Sequence, residues 1–251
     1  MKKEIILSVM IGLSTLSSAT TRADVQIIES SENIRYLSQN ISSNYLLLFT
    51  NKNNIFAEKE IDQSIIKLTR EFRNVAMTSK DTDTKDILEF LTYSKTEMQE
   101  LLNEDINPEN ASLLLDFTET FLEGANSIEK DALYEFSAEE KMLSVTKDML
   151  YLLERINKYY LAYHLGFNKE VNLDGLKNSI ISFDKHQKLV NAYNYPYETK
   201  KIASLASLDW DVNKKILEKG EKLFIPNILK DLISNQKELV LKLNKYHTKN
   251  Q

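Results

Sequence analysis

The chain has 251 residues, of which 42% are hydrophobic and 27% charged, and its formal net charge is −5. This length suffices for one large domain or two of ordinary size, and the apolar content is that of a chain that buries a core. With only five glycines and three prolines, few positions can adopt a positive φ or form tight turns, so the composition favours long helices. The mild acidity disfavours nucleic acid or an anionic membrane surface as the main partner.

The first residues have the layout of a secretory signal peptide, which we predict to span residues 1–23. Lys2 and Lys3 precede an apolar run of about 12 residues, and small-residue cleavage sites end at Ala19 and Ala23. We therefore expect a periplasmic or secreted mature protein without a membrane span, cleaved near one of these alanines. An uncleaved anchor is the alternative, although the run is short for a membrane span. Because the chain has no cysteine, a lipoprotein anchor, disulfides and thiol chemistry are excluded.

Apolar residues recur at three- and four-residue steps almost throughout, the spacing that places them on one face of a helix. The pattern predicts eight helices of about 20–27 residues and no strand of useful length. The apolar faces run, in chain order, over Ile34–Leu48, Ile61–Val75, Ile87–Leu101, Leu114–Ile128, Met142–Ile156, Leu173–Val190, Ile202–Ile216 and Ile225–Tyr246. We therefore predict an all-α fold.

The breaks between these segments carry helix-capping residues. Asn107 followed by Pro108 places a capping side chain before a first-turn proline, and SAEE, from Ser137 to Glu140, has the form of a capping box. Pro196 and Pro226 stand near the expected starts of the last two helices. The predicted N-caps of helices two, three and six are Asn54, Asp83 and Asn172.

A weak internal repeat appears at an offset of 115 residues. This offset aligns IRYLSQNISSNYLL, which begins at Ile34, with MLYLLERINKYYLA, which begins at Met149. Between Ile34 and Leu102, 14 of 69 positions are identical, whereas two unrelated helical segments in phase would share about six. The repeat indicates a duplication, although the match weakens in the fourth helix of each half.

The repeat predicts two tandem antiparallel four-helix bundles, residues 24–135 and 136–251, after the signal peptide. They are joined near Tyr134 to Ser137. Because this connection is short, we expect helix four to continue almost directly into helix five. The two bundles would then stack end to end as a rod.

One motif on the first helix suggests a family. The segment IESSENIRYLSQN, from Ile28 to Asn40, resembles the opening helix of the PilJ-like periplasmic input domain of type IV pili methyl-accepting chemotaxis transducers. Nitrate-sensing histidine kinases carry a related domain, and the fold that the resemblance implies is a four-helix bundle. The matching positions are Ile28, Arg35, Leu37, Ser38 and Gln39, and the departures are Glu29, Glu32 and Asn40.

The resemblance implies a ligand site at Arg35, since the matching arginine of the nitrate sensors contacts the anion. Its guanidinium would bind an anion or carboxylate, and Ser38 and Gln39 would add hydrogen bonds. The alternative is an exposed Arg35 paired with Glu32, one turn earlier, with Ser38 and Gln39 on the outer face. A carboxylate at Arg35 would compete with an anionic ligand, which disfavours sensing of inorganic anions such as nitrate. We predict Arg35, Ser38 and Gln39 as ligand-binding residues.

We expect no enzymatic activity, no metal site and no cofactor. The three histidines, His164, His186 and His247, lie far apart, and none has the Glu three residues earlier that an inward-facing di-iron site needs. The chain contains no G-x-S-x-G nucleophile elbow and no glycine-rich phosphate loop. The aromatic residues concentrated in the second half could line a pocket for an organic ligand, but core packing is the simpler interpretation.

Together these features predict a secreted or periplasmic, non-enzymatic helical-bundle protein that acts as a stand-alone sensory or small-ligand-binding module. A small anionic or organic ligand would change helix packing, and the change would reach a membrane-bound receptor or signalling partner. The resemblance also implies a homodimer through helix one. The alternative is a structural or adaptor rod that mediates protein–protein contacts without a small ligand.

Overall fold

The computed structural model describes residues 2–130, 134, 136–220 and 222–250, with side chains from residue 23 onward. Apart from Ala23, the predicted signal peptide lies outside the residues whose side chains are described, so it stays a prediction. The described residues form eight α-helices and no strand, which confirms the predicted all-α bundle fold. Among the described residues from Ala23 onward, no helix has both the length and the apolar character that crossing a membrane requires.

The helices start largely where the capping residues predict. In chain order they are α1 (Lys2–Thr50), α2 (Ile55–Thr78), α3 (Thr82–Leu102), α4 (Pro108–Lys130), α5 (Ala138–Leu165), α6 (Lys169–Ala192), α7 (Tyr197–Gly220) and α8 (Pro226–Asn250). The predicted capping box opens α5, because the Ser137 hydroxyl accepts from the Glu140 N–H at 3.2 Å and the Glu140 carboxylate accepts from the Ser137 N–H at 2.7 Å. Asn54 caps α2 by accepting from the Ala57 N–H at 3.2 Å.

Two predicted caps are wrong. Asp81, not Asp83, caps α3, since the Asp81 carboxylate accepts from the Thr84 N–H at 2.7 Å. The other error is at α6, which begins right after Asn168, so Asn172 lies inside the helix. The reason is the tight reversal after α5, where Gly166 takes a left-handed conformation with φ 92°.

The two central helices, α1 and α5, lie side by side and run parallel. Glu32 contacts Lys147 and Asn40 contacts Glu154, which are offsets of 115 and 114 residues. Further along, the centres of the Phe49 and Phe167 rings are 5.7 Å apart. The residue numbers rise together on both helices at nearly the offset of the sequence repeat. Equivalent helices of the two halves are therefore direct neighbours.

The other helices are arranged around this pair. α2 and α4 pack on α1, α6 and α8 pack on α5, and α3 and α7 each lie against the fourth helix of their own half. The predicted end-to-end rod is therefore wrong, because the two halves lie side by side. The predicted continuation of helix four into helix five is also wrong, since Tyr134, Phe136 and Ser137 are not helical.

Burial of α1 explains this arrangement. No residue from Ile27 to Phe49 is exposed, because α2, α4 and α5 surround the helix. Little of this stretch faces outward, and the homodimer through helix one stays a prediction. The apolar core extends through both halves as one connected cluster, from Ile27 to Leu243. The division into bundles 24–135 and 136–251 stays a prediction.

Candidate ligand site between the two halves

The contact between α1 and α5 is rich in polar side chains. Residues 38–44 of α1, SQNISSN, are all buried, and only Ile41 among them is apolar. The Ser38 hydroxyl donates to the Arg35 carbonyl three residues earlier, and Asn44 donates to the Asn40 carbonyl at 2.8 Å. These polar groups are therefore satisfied partly within their own helix. We call residues 38–44 and the buried polar residues Glu154, Asn157 and Lys158 of α5 the polar seam.

Glu154 is the carboxylate at the centre of the polar seam. It accepts hydrogen bonds from Asn40 Nδ2 at 3.1 Å and Ser43 Oγ at 2.9 Å, and it forms an ion pair with Lys237 of α8. Asn40 in turn accepts from Ser64 of α2 at 2.7 Å. Burial raises the pKa of Glu154, but Lys237 and the two hydrogen bonds outweigh burial and hold it below its ordinary value. The ionised carboxylate thus connects four helices.

A groove of about 320 Å³ opens beside Glu154, between α2 and α8. Glu60 of α2 and Lys230 and Lys237 of α8 line it. Asn157 also lines it and is only 5% exposed, yet its side-chain oxygen has no hydrogen-bond partner among the described residues. Buried polar atoms normally have a partner. The groove therefore offers ammonium groups of α8 and a buried acceptor that a ligand could satisfy.

The opposite side of the polar seam carries a different ion pair. Lys158, one turn after Glu154, is buried and pairs with Glu119 of α4. Its ammonium lies 4.1 Å from the centre of the Tyr159 ring. Burial lowers the pKa of Lys158 to about 8, although Glu119 acts in the raising direction. Arg155 donates to the Tyr159 hydroxyl at 2.8 Å, so this side is closed by its own side chains.

Arg35, the first predicted ligand residue, lies at the junction of α1, α4 and α5. Its guanidinium is largely buried and forms ion pairs with Glu129 and, at 3.5 Å, with Asp148. Glu32 instead pairs with Lys147 at 2.9 Å. The alternative of an exposed Arg35–Glu32 pair is therefore wrong, because carboxylates of α4 and α5 reach the guanidinium across the helix packing.

These carboxylates occupy the donors that an anion would need at Arg35. Burial raises the pKa of Asp148 to about 6, although Arg35 lowers it. Burial also raises the pKa of Glu129, again against the effect of Arg35. An anionic ligand at Arg35 would have to displace one of them. The observed role of Arg35 is to hold α4 and α5 to α1, and a ligand contact there stays a prediction.

Ser38 and Gln39 are fully buried in the polar seam. The Ser38 hydroxyl donates to the Arg35 carbonyl at 2.8 Å, and Gln39 Nε2 donates to Ser38 Oγ at 3.3 Å. Neither residue lies on the outer face, so that alternative is wrong. Neither lines the groove beside Glu154, so ligand binding by these two residues also stays a prediction.

The three histidines do not come together. His186 Nε2 lies 3.8 Å from Asp148, whereas His247 is fully buried at the far end of α8. There, His247 is hydrogen-bonded to Glu139 and to Tyr195, both at 2.8 Å. Within the described ranges, no three His, Asp or Glu side chains are grouped to hold a metal ion.

The groove residues Asn40, Glu154, Asn157 and Lys237 were missed by sequence reasoning, although one signal was present. The segment YLLLF from Tyr45 to Phe49 is apolar on every side, the pattern of a helix buried all round. The polar turns immediately before it must then be buried as well, and their side chains must find partners on other helices.

No protein-family model, curated protein or solved structure matches the chain. The likeness of Ile28–Asn40 to chemotaxis-transducer input domains stays an interpretation of a single motif. What the groove can bind follows from its own geometry.

Proposed function

We propose that this protein is a non-enzymatic helical-bundle module that binds a small polar organic ligand in the groove between α2 and α8. The observation that carries the proposal is the buried, unpaired oxygen of Asn157 beside the ammonium groups of Lys230 and Lys237. A ligand with both an anionic group and a hydrogen-bond donor, such as a small amino or hydroxy acid, would satisfy all three. These three groups belong to the second half, and α1 and α2 of the first half form the other wall of the groove, so the site needs both halves.

Ligand binding in this groove would act on the packing of the two halves. Glu154 is held by Asn40 and Ser43 from the first half and by Lys237 from the second. A ligand anion that drew Lys237 away would leave a buried carboxylate without its cation, which disfavours the present packing of α1 and α5. The protein would report this change, outside the cytoplasm, to a membrane-bound receptor or signalling partner.

A thermal-shift screen of amino acids, hydroxy acids, dicarboxylic acids and oxyanions tests the site. A ligand at 100 times its Kd should stabilise the protein by about 2.7 kcal/mol. Lys230→Ala and Asn157→Ala should abolish the shift, whereas Arg35→Ala should retain it, each variant being compared with its own melting temperature without ligand. Loss of the shift only in Arg35→Ala would move the site to the predicted arginine, and no shift with any compound would refute ligand binding in the groove.

A second candidate function is an adaptor that contacts another protein without a small ligand. Six large apolar residues in the described part of the first half are more than half exposed, and four of them have apolar counterparts, also more than half exposed, at the repeat offset. The pairs are Phe56 and Val171, Ile66 and Ile181, Phe90 and Leu205, and Tyr93 and Leu208. The other two, Ile55 and Met77, align with Glu170 and Ala192. Exposed apolar positions that recur in both halves favour an interaction surface.

Co-purification from native cells distinguishes the two functions. The double variant Leu205→Asp/Leu208→Asp should lose the partner protein and keep any ligand-induced thermal shift. Leu241→Asp is the matched control, because Leu241 is also exposed but aligns with a polar residue, Asn126. Equal partner recovery with both variants would argue against the adaptor.

A further inference from the structure

A second cavity, of about 640 Å³, opens at one end of the first half, and we call it the end cavity. Aliphatic side chains of α1, α2 and α3 form much of its wall: Leu48, Ile61, Ile65, Ile66 and Leu102. Its charged lining is mostly acidic: Glu58, Asp62, Glu104 and Asp105, with Lys52 of opposite sign. The cavity thus combines an apolar wall with a negative potential.

Tyr45 lies against the end cavity with an unsatisfied hydroxyl. The residue is 2% exposed, and its oxygen has no hydrogen-bond partner within the described part of the chain. The repeat supplies an internal comparison, because Tyr160 occupies the equivalent position of the second half. The Tyr160 hydroxyl donates to the Leu223 carbonyl and accepts from the Ile225 N–H at 2.9 Å. The connection between α7 and α8 therefore satisfies Tyr160, whereas Tyr45 has no such partner.

The charges around the two tyrosines differ as well. At the repeat offset, Asp62 aligns with Lys177 and Glu58 aligns with a leucine. Burial raises the pKa of Tyr45, and the charge of Glu104 raises it further, so the field at the phenol is negative. Two halves with a common origin thus differ in two respects at the same place, in hydroxyl satisfaction and in charge. A buried hydroxyl without a hydrogen-bond partner is unfavourable for folding. Its presence at Tyr45 is explained if a bound ligand supplies the missing partner.

We propose that the end cavity binds a small organic cation that has an apolar body and an ammonium group. The body would lie against Leu48, Ile61 and Leu102, and the Tyr45 oxygen would accept a hydrogen bond from the ammonium N–H. Asp62 and Glu104 would supply the compensating negative charge. The same field repels carboxylates, so the cavity selects cations over anions of equal shape. This site lies in the first half alone and does not depend on the groove between the halves.

Isothermal titration with two matched pairs of probes tests the proposal, namely phenethylammonium against 3-phenylpropanoate and pentylammonium against hexanoate. We expect saturable binding of the cations and at least about tenfold weaker binding of the anions. Tyr45→Phe and Asp62→Asn should each weaken cation binding by about tenfold. Tyr160→Phe is the matched control in the second half and should leave the affinity unchanged.

Three results would overturn the proposal: no saturable binding of either cation, equal affinity for the cation and the anion of a pair, or unchanged affinity in both Tyr45→Phe and Asp62→Asn. Asp62 is exposed, so its substitution tests the site even if a change at Tyr45 disturbs folding. A thermal melt of each variant shows that the protein titrated is folded.

Discussion

At the residue scale, the ion pair of Glu154 and Lys237 carries a large cost of removing charged groups from water. The Glu154 side chain is 4% exposed and that of Lys237 23%. Each charge is tolerated because the other is present and because Asn40 and Ser43 occupy the remaining acceptor positions of the carboxylate.

Removing one partner should therefore be far more damaging than removing both. We expect Lys237→Met to lower the free energy of unfolding by about 3–5 kcal/mol, and the double variant Glu154→Gln/Lys237→Met to lower it by much less. Lys242→Met is the control, since Lys242 pairs with Glu238 on the exposed surface, where an ion pair contributes little to stability. Urea unfolding at pH 7 measures all three, and a double variant that is no more stable than Lys237→Met would contradict a coupled pair.

Asp148 should give stability an unusual pH dependence. Its pKa rises from 3.8 to about 6 by burial, with Glu32 acting in the same direction and Arg35 and Lys147 opposing it. Between these values the folded state binds a proton that the unfolded state does not, so this group's contribution to stability falls as pH rises from about 4 to about 6. Glu154 acts oppositely, because its lowered pKa means that stability is lost as pH falls below about 4.5.

Asp148→Asn should remove this falling contribution, so that the unfolding free energy between pH 4 and pH 6 changes with a more positive slope in the variant than in the unsubstituted chain. The nearby His186 acts in the opposite direction, because burial lowers its pKa and its contribution to stability therefore rises with pH. His186 is present in both proteins, so the comparison of variant and parent reports the contribution of Asp148. Thermal melts at half-unit pH intervals provide the profile. An identical slope in the variant and the parent would show that Asp148 titrates normally.

The two equivalent tyrosines should respond in opposite ways to the same substitution. Tyr160→Phe removes two hydrogen bonds and leaves backbone groups of Leu223 and Ile225 unpaired, at a cost of about 1–3 kcal/mol. Tyr45→Phe removes a hydroxyl that has no partner in the described structure, and should be neutral or stabilising by about 1 kcal/mol. Denaturant unfolding without ligand compares them, and equal destabilisation would show that Tyr45 has a partner in solution.

At the element scale, close packing of α6 on α5 should reverse the usual preference of helices for alanine. Intrinsic propensity alone favours Ala over Gly inside a helix by about 1 kcal/mol. A Cβ at Gly175, however, would lie 2.6 Å from a ring carbon of Tyr159. That ring cannot move easily, because Arg155 donates to its hydroxyl at 2.8 Å.

We expect Gly175→Ala to destabilise the protein by about 1–3 kcal/mol through overpacking. Asn178→Ala, at an exposed position of the same helix, is the control and should change stability by less than about 0.5 kcal/mol. The penalty should shrink when Tyr159 is already replaced by Leu. A stabilising Gly175→Ala would show that α5 and α6 are further apart than described.

Helix number and most helix starts could be predicted from the sequence because both depend on local patterns. Apolar spacing identified eight segments, and Ser137, Asn54, Pro108 and Pro226 mark starts by chemistry that involves only the next few residues. The errors at Asp83 and Asn172 arose where several capping residues stand close together. There the preceding turn decides which residue precedes the helix, as the left-handed Gly166 does before α6.

At the scale of the whole molecule, the repeat revealed that α1 and α5 are equivalent but not that they are neighbours. A periodic apolar face shows that one side of a helix is buried, but it does not show which other helix packs against that side. The predicted site residues Arg35, Ser38 and Gln39 do lie at the contact between the halves. The groove itself depends on Lys230 and Lys237 of α8. These lysines come close to α1 only because the two halves pack side by side.

The parallel pairing of α1 with α5 is the central claim, and a distance measurement tests it directly. The chain has no cysteine, so Asn51→Cys and Lys169→Cys create two unique, exposed labelling sites at the same end of the two helices. Because the Phe49 and Phe167 rings are 5.7 Å apart, double electron–electron resonance should give a main distance of about 20 Å, near two helix diameters. Halves stacked end to end would place the labels about 60 Å or more apart, and a main distance in that range would contradict the account.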